Sequence, residues 1–308
     1  MVDNIVGNSV YEVATKATDV LMKEGTLVKR IGGNWNLSSN EEVLCRELHN
    51  VQLILKPHSE NTHNKWYSHV NRGTVLETIE LLLGDRHSYL HHLWKKVETQ
   101  FIGADNLKPY TYGSRLTGLE GEINQLEYII KELKRDKQSR HCVAFIRRPI
   151  DLTNDYQPCS LSAHFQVDEH DRLEMTWVMR SNDIALGGLW RNLFMNTHLH
   201  EQIAYATGLE LGNYYHYDFN LHSYERDWEK LFNIKDEVKP FKGEITEPEL
   251  LTNETKVMYR TILKKYFEEN DSNVKLKDSY FNSLMNFITN QKLTLHFPHG
   301  IPEMEFLR

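Results

Sequence analysis

Apolar and polar residues alternate in the middle of the chain, where apolar side chains occupy every second position from Leu161 to Val167. A period of two is typical of a strand with one buried face. The acidic run 168–171 follows as a turn, and a second strand-like run covers 173–179. The pattern therefore predicts a hairpin of two strands.

The remaining pattern predicts further helices and strands around this hairpin. Helical spacing of apolar residues predicts helices over 10–24, 73–84, 123–133, 192–206, 247–269 and 277–291. Buried or aromatic runs predict strands over 47–55, 142–146 and 214–224. Two short segments have the character of loops, a basic one over 27–33 and an aromatic one over 110–115.

Both ends of the hairpin carry candidate chemistry. Cys159 stands behind Pro158 before the first strand, and Arg180 follows the second strand. A fixed positive charge stabilises a thiolate and lowers the cysteine pKa, which is what a nucleophilic enzyme needs. The alternative is that Cys159 is a small buried hydrophobe, the usual role of a lone intracellular cysteine. The neighbouring charge favours the nucleophile.

Glu77 is a second candidate, because it lies at the edge of the apolar stripe of the predicted helix 73–84. A carboxylate at such an edge costs free energy unless it has a partner or a function. The alternative is an ordinary exposed helix glutamate.

Length and composition bound the organisation of the chain. Its 308 residues, 40% of them hydrophobic, can hold one large domain or a domain with a smaller appendage. From residue 239 the composition shifts to charged helical sequence. We therefore expect a catalytic domain over 1–235 and a helical C-terminal extension over 236–308 packed on it.

Charge and cysteine content exclude several classes of protein. A formal net charge of −7 argues against non-specific nucleic-acid binding. Cys45, Cys142 and Cys159 are too few and too scattered for a disulfide framework or a CxxC metal pair. The first residues do not resemble a signal peptide, and no apolar run approaches membrane-spanning length. These features predict a reducing, cytoplasmic protein without a membrane or nucleic-acid partner.

Several motifs, taken in order, resemble the core signature of the thymidylate synthase and deoxypyrimidine hydroxymethylase superfamily. They are Pro158-Cys159, Arg180-Ser181-Asn182-Asp183, Leu186-Gly187, Asn192 and His222-Ser223-Tyr224. The resemblance covers roughly residues 30–228. It implies an α+β fold with a mixed sheet and flanking helices, and a homodimer with shared active sites. It also implies one-carbon transfer from 5,10-methylenetetrahydrofolate to C5 of a pyrimidine deoxynucleotide monophosphate.

The resemblance assigns roles to the nucleophile and the phosphate ligands. Cys159 would add to C6 of the pyrimidine, which makes C5 able to attack the one-carbon unit. Arg180 and Ser181 would hold the nucleotide phosphate, with Arg30 as a mobile ligand. Arg140, in a run that matches the family's Asp-x-x-Ser-Arg pattern, would reach the phosphate in the partner subunit's site.

Further roles follow from the same resemblance. Glu77 would relay protons through water, and Tyr112 would help the C5 proton leave. Asp183 would complete the catalytic set by binding the pterin. His222 and Tyr224 would bind the deoxyribose hydroxyl, and two residues apart on a strand they point to one face.

Asn192 is expected to read the base as uracil. An amide can donate to the pyrimidine O4 and accept from the N3–H of uracil, whereas cytosine presents an amino donor and a bare N3 acceptor. Relatives that act on cytosine look to carry Asp at the position that matches Asn192. The resemblance therefore favours dUMP over dCMP.

Departures from the family pattern bear on the product. The usual second arginine after Arg140 is His141, the run 187–192 is one residue longer than in the methylases, and the methylases' tryptophan pair and apolar C-terminal tail are not matched. Most of these departures lie on the side that shields folate, and hydride transfer needs that side dry. The segment 179–183 also resembles phage hydroxymethylases.

Four possibilities stay open from sequence alone. The first is a deoxyuridylate hydroxymethylase and the second a thymidylate synthase, with a dCMP hydroxymethylase behind both. From a different class, an inactive nucleotide-binding relative would keep the fold without turnover. The joint presence of Cys159, Glu77, Arg180, Asp183 and Asn192 argues against the inactive relative.

Overall fold

A computed structural model describes residues 4–31, 42–59, 62–63, 72–90, 110–118, 122–153, 157–185, 188–231, 253–269, 293–294 and 305–306. Leu186-Gly187, Trp94 and the predicted helix 277–291 lie outside these ranges. Among the described helices, none is long and apolar enough to cross a membrane.

A mixed eight-stranded sheet forms the centre of the fold, with its main path in the order β1-β3-β10-β8-β7-β6. The strands are β1 (Ile5–Gly7), β2 (Thr26–Ile31), β3 (Glu42–Leu55), β6 (Val143–Phe145), β7 (Ser160–Val167), β8 (Arg172–Met179), β9 (Asn182–Asp183) and β10 (Glu210–Tyr224). Strand β10 runs antiparallel to β3 and parallel to β8. Strands β2 and β9 pair beside this path, with β3 and β10 respectively. Two short antiparallel pairs form separate sheets, β4 (Pro57–Ser59) with β5 (Thr62–His63) and β11 (Leu293–Thr294) with β12 (Glu305–Phe306).

Helices flank this sheet, which confirms the predicted fold class. They are α1 (Val10–Glu24), α2 (Arg72–Leu83), α3 (Tyr112–Thr117), α4 (Gln125–Arg135), α5 (Gly188–Thr207) and α6 (Asn253–Phe267). Helix α5 is buried along most of its length. Helix α1 begins where Ser9 Oγ accepts the Glu12 N–H at 3.1 Å, and it ends at Gly25, as its sequence predicts.

The central hairpin is present as predicted. Strands β7 and β8 pair antiparallel, with Ala163 opposite Trp177 and Phe165 opposite Met175. Asp168 closes the turn by accepting the N–H groups of His170 and Arg172, each at 2.9 Å. The hairpin thus fixes where the chain enters β7 and where it leaves β8.

Two predicted loops are wrong. Residues of the basic segment 27–33 form strand β2, because the long strand β3 offers an edge on which residues 26–31 pair in continuous register. The aromatic segment 110–115 contains helix α3, because Thr111 and Ser114 form a reciprocal capping box. In both places, hydrogen bonding that the hydrophobic pattern does not reveal decides the structure.

Other boundaries differ by a few residues. Helix α5 begins at Gly188, four residues before the predicted start at 192. Helix α6 ends at Phe267, two residues before the predicted end at 269, and the predicted start at 247 lies outside the described residues. Helix α6 nevertheless packs on the end of α2, where Arg260 Nη2 donates to Leu83 O at 3.0 Å and binds Asp85. The division into a domain over 1–235 and an extension stays a prediction.

Candidate active site

The two ends of the hairpin meet, as the sequence predicts. The N–H of Arg180 donates to the carbonyl oxygen of Cys159 at 2.8 Å. The Arg180 guanidinium then folds back over the other strand end, donating to the carbonyl oxygens of Pro158 and Gln157, each at 2.9 Å. A thiol and a fixed positive charge therefore share one strand terminus.

The expected lowering of the Cys159 pKa is wrong for this state of the protein. Burial raises the pKa of the Cys159 thiol, the nearby Arg180 charge opposes that rise, and the carboxylates of Asp218 and Asp183 add to it. Part of the Arg180 fork is already used by backbone carbonyls, and the thiol lies in a poorly solvated place. Desolvation therefore outweighs the guanidinium.

Glu77 forms an ion pair that sequence reasoning missed. Its Oε2 accepts from Arg191 Nη1 at 2.9 Å. The two side chains retain 27% and 18% of their exposure respectively, so the pair touches solvent. Arg191 belongs to the run 187–192, and a charge inside that run was the available signal.

Tyr112 reaches the hairpin from helix α3. Its hydroxyl oxygen accepts the Ser160 N–H at 3.4 Å, beside the candidate nucleophile. Burial raises the pKa of Tyr112, and the neighbouring Cys159 raises it further. The phenol is thus held as a neutral hydroxyl next to the thiol.

Helix α3 is anchored by a buried ion pair. Arg115 Nη2 lies 2.5 Å from Asp151 Oδ1, and the Asp151 carboxylate also accepts the Arg148 N–H at 2.7 Å. The Asp151 side chain is completely buried. This pair fixes Tyr112 indirectly, since it ties α3 to the connection between β6 and β7.

Strand β9 joins the start of helix α5 to the strand ends. Asp183 Oδ1 accepts the Ala185 N–H at 2.9 Å, and the half-buried Ser181 precedes β9. A Cβ at Gly188 would lie 2.2 Å from the carbonyl oxygen of Asp183, so only glycine allows α5 to begin this close.

Asn192 is the fifth residue of α5 and faces the same region. Its Nδ2 donates to Asn182 Oδ1 at 3.2 Å and lies 3.4 Å from Met179 Sδ. Met179 pairs with Ser160, so the amide is positioned next to the strand that begins after Cys159. The role of Asn182 as its hydrogen-bond partner was not predicted.

His222 and Tyr224 come from strand β10. Their rings meet edge to face with centroids 5.3 Å apart, on one face as predicted. His222 pairs in register with Asp183, which links this pair to β9. Burial raises the pKa of Tyr224 to about 12, so its hydroxyl stays protonated at neutral pH.

Within the described residues, no recorded contact joins the Cys159 thiol to either of the two remaining arginines. Arg30, on β2, binds Glu47 through two hydrogen bonds of 2.6 Å each, and this contact is the largest cause that holds the Glu47 pKa at about 2. Arg140 is exposed in the connection from α4 to β6. Since β6 begins with Val143 opposite His164, Arg140 lies well along β7 from Cys159 of its own subunit.

No group of three or more side chains suited to a metal ion occurs in the described ranges. The arrangement brings together a thiol beside a guanidinium, a neutral phenol, a partly exposed carboxylate and a buried amide. Such a set suits covalent addition of sulfur to a polarised double bond, with proton transfer at the carboxylate.

Several known proteins are similar to this chain. A relative from Methanococcoides burtonii, named "Putative thymidylate synthase", is 32% identical over 147 residues, which cover 47% of this chain and 67% of the relative. A relative of the same name from Methanosarcina mazei is 32% identical over 44% of this chain and 63% of its own length. Thymidylate synthase 1 from Bacillus subtilis (strain 168) is 30% identical over 53% of this chain and 56% of its own length. The chain thus spans about two thirds or less of these relatives.

A solved structure and a family profile extend the comparison. The thermostable thymidylate synthase A from Bacillus subtilis superposes with a TM-score of 0.57 over 76% of this chain and 86% of its own, at 21% identity. That likeness shows the same fold. The sequence profile of the thymidylate synthase family matches residues 54–270. Because this match covers more than half of the chain, the chain belongs to the thymidylate synthase family.

Proposed function

We propose that the protein transfers a one-carbon unit to C5 of dUMP and that its product is 5-hydroxymethyl-dUMP. The observation that carries the transfer is the meeting of Cys159 and Arg180 at one strand terminus, with Tyr112 and Asn192 beside it. Family membership supports the same reaction class. The proposal that water adds to the transferred carbon at the end of the reaction rests on the ion pair of Glu77 with Arg191.

Cys159 is the nucleophile of the proposed reaction. Its thiol loses a proton, the Sγ–C6 bond forms, and the C5=C6 electron pair moves toward C5 and O4. Asn192 donates to O4 through Nδ2, which stabilises the developing negative charge. Arg180 is the nearest cation to the thiolate, and its positive charge offsets part of the desolvation that raises the Cys159 pKa.

The chain also offers a fitting place for a folate. Asp183 is a partly buried carboxylate beside the start of α5, where it can accept the paired N–H donors of a pterin ring. When bound, 5,10-methylenetetrahydrofolate supplies a one-carbon unit at the oxidation level of formaldehyde. Tyr112 lies beside Cys159 and helps the C5 proton leave.

Glu77 and Arg191 favour hydration of the transferred carbon. Their ion pair is partly exposed, so it brings charge and access to solvent into the proposed site, whereas hydride transfer requires a dry, apolar contact with folate. Once the bond from the transferred carbon to the folate nitrogen has broken and tetrahydrofolate has left, Glu77 can orient a water and take its proton as hydroxide adds to that carbon. The Sγ–C6 bond then breaks, and Cys159 departs as a thiolate.

Phosphate and sugar contacts complete the proposed site. Arg180, Ser181 and Arg30 bind the phosphate, with Arg30 exchanging its contact to Glu47 for the nucleotide. His222 and Tyr224 bind the deoxyribose hydroxyl. Arg140 of the partner subunit supplies a further phosphate contact, which makes the proposed active form a homodimer.

Thymidylate synthase is the second candidate, because every relative named above carries that activity in its name. One experiment separates the two. The full chain is incubated with dUMP and methylenetetrahydrofolate, dihydrofolate is followed by absorbance, and the nucleotide product is weighed by mass spectrometry. We expect a product heavier by CH2O without dihydrofolate. A product heavier by CH2, with dihydrofolate, would establish the second candidate, and no product from bound dUMP would contradict both.

A further inference from the structure

A line of buried polar side chains runs from Asn192 into the core. Asn192 Nδ2 donates to Asn182 Oδ1 at 3.2 Å, and Asn182 Nδ2 lies 3.3 Å from Asp218 Oδ2 and 3.1 Å from His216 Nε2. Asp218 and His216 are completely buried on β10, and Asn182 is 2% exposed. Polar groups in such a place are costly unless their hydrogen bonds are made in a fixed pattern.

The direction of this line is set by its charged member. A carboxylate accepts hydrogen bonds and donates none. Asn182 must therefore turn its Nδ2 toward Asp218, which leaves its Oδ1 toward Asn192. His216 is compatible with this direction, because its Nε2–H can donate to Asp218 Oδ1 at 3.3 Å while its Nδ1 accepts from the Tyr214 hydroxyl at 2.7 Å.

The orientation of the Asn182 amide sets the orientation of the Asn192 amide. Facing an acceptor at Asn182, it turns Nδ2 inward, and within the described residues its own Oδ1 accepts no hydrogen bond. Its second N–H faces Met179 Sδ, a weak acceptor that a pyrimidine O4 would replace. The reversed amide would instead place two carbonyl oxygens against each other at about the same separation.

We infer that Asp218, acting through Asn182, holds the Asn192 amide in the orientation that pairs with uracil and excludes cytosine. Uracil N3–H needs the Asn192 Oδ1 as an acceptor, whereas the bare N3 of cytosine needs the reversed amide. Asp218 is thus a positioning residue for base specificity. The inference rests on the proposed function, because it takes Asn192 as the group that reads the base.

The test compares nucleotide binding by the full chain without folate. Calorimetric titration gives the ratio of the dCMP and dUMP dissociation constants for the wild type and for Asp218→Asn. The substituted amide can donate as well as accept, so Asn182 and Asn192 are free to reverse together. We expect the wild type to prefer dUMP and the ratio to fall by about tenfold in Asp218→Asn, the size of effect that one misdirected buried hydrogen bond produces.

Two further variants separate direction from general damage. The double variant Asn182→Asp/Asp218→Asn moves the carboxylate one step along the line, so Asn192 again faces an acceptor and the wild-type ratio should return. Tyr214→Phe removes a buried hydroxyl behind His216 without altering Asp218 or Asn182, and should leave the ratio unchanged. If Asp218→Asn does not accumulate as folded protein, Asp218→Ser replaces it, since a hydroxyl also donates or accepts.

The outcomes distinguish this inference from the function beneath it. A folded position-218 variant that keeps the wild-type ratio, or a double variant that fails to restore a lost ratio, overturns the role of Asp218 while leaving the proposed function in place. A wild-type protein that binds neither nucleotide overturns both.

Discussion

Burial raises the pKa of the Cys159 thiol while the Arg180 guanidinium beside it favours the thiolate. Serine at this position would keep the size of the side chain and lose the nucleophile, since an unactivated hydroxyl is too weak to add to a pyrimidine. We expect Cys159→Ser to abolish turnover while melting temperature and dUMP binding stay close to wild type. Product formation above a trace in this variant would rule out the covalent step.

Arg30 and Glu47 give a pH-dependent contribution to stability. The Arg30 contact holds the folded-state pKa of Glu47 at about 2, below its ordinary value of 4.5. A lowered carboxyl pKa contributes stability that is fully present above the ordinary value and is lost as pH falls toward the folded value. We therefore expect the melting temperature to fall between pH 4.5 and about 2 less steeply in Glu47→Gln than in the wild type.

Glu42→Gln is the matched control for this experiment. Glu42 also pairs with a cation, Lys29 at 2.9 Å, but both side chains are more than half exposed. Such surface pairs contribute little. Equal pH slopes for the wild type and Glu47→Gln would show that Arg30 does not stabilise the ionised Glu47.

Among the elements, helix α3 depends most on one buried contact. Asp151→Asn would leave the Arg115 guanidinium buried opposite a neutral amide, and breaking a buried pair in this way costs about 3 kcal/mol. Glu122→Gln breaks the more exposed pair with Arg148 and should cost less than about 1 kcal/mol. Urea unfolding of both variants measures the difference, and equal losses would show that the α3 anchor is not energetically special.

Some of these helices and strands could be predicted from the sequence and others could not. The hairpin β7–β8 follows from strict alternation, because one face of each strand packs on the core. Strand β2 does not follow from the pattern, because it is mostly exposed and forms by pairing with β3. Helix α3 spans only six residues, and its start depends on the Thr111 and Ser114 capping box. Short elements of this kind carry too little periodicity to be recognised.

At the scale of the molecule, one face of strand β10 is partly exposed among the described residues, and this face supports the proposed dimer. Along β10, residues 214, 216 and 218 are buried, while 215, 217 and 219 on the other face are partly or fully exposed. The residue Phe219 is 46% exposed. An apolar sheet face of this kind is suited to a second copy of the chain.

Mixed dimers test the shared sites directly. A chain carrying Cys159→Ala and a chain carrying Arg140→Ala are each expected to be almost inactive. In a mixed dimer one site holds both lesions and the other holds neither, so activity should return when the two chains are combined. Absence of recovery in mixed dimers verified by mass spectrometry would show that Arg140 does not act across the interface.

The site was predictable as far as each residue stands in a local motif. Cys159, Arg180 and His222 with Tyr224 lie at strand ends or on one strand, so their neighbours follow from the pattern. The Glu77–Arg191 pair and the contact of Asn182 with Asp218 join distant segments. Such contacts depend on how α2, α5 and β10 pack together, and no period in the sequence encodes that packing.

Release of tritium from C5 of dUMP tests the central claim most directly, because C5 must lose its proton whether the product is hydroxymethylated or methylated. The full chain is incubated with dUMP that carries tritium at C5, with and without methylenetetrahydrofolate, alongside Cys159→Ala. We expect release to water only with the wild-type chain and folate together. Release that persists in Cys159→Ala, or no release from a wild-type protein shown to bind dUMP, would contradict the account.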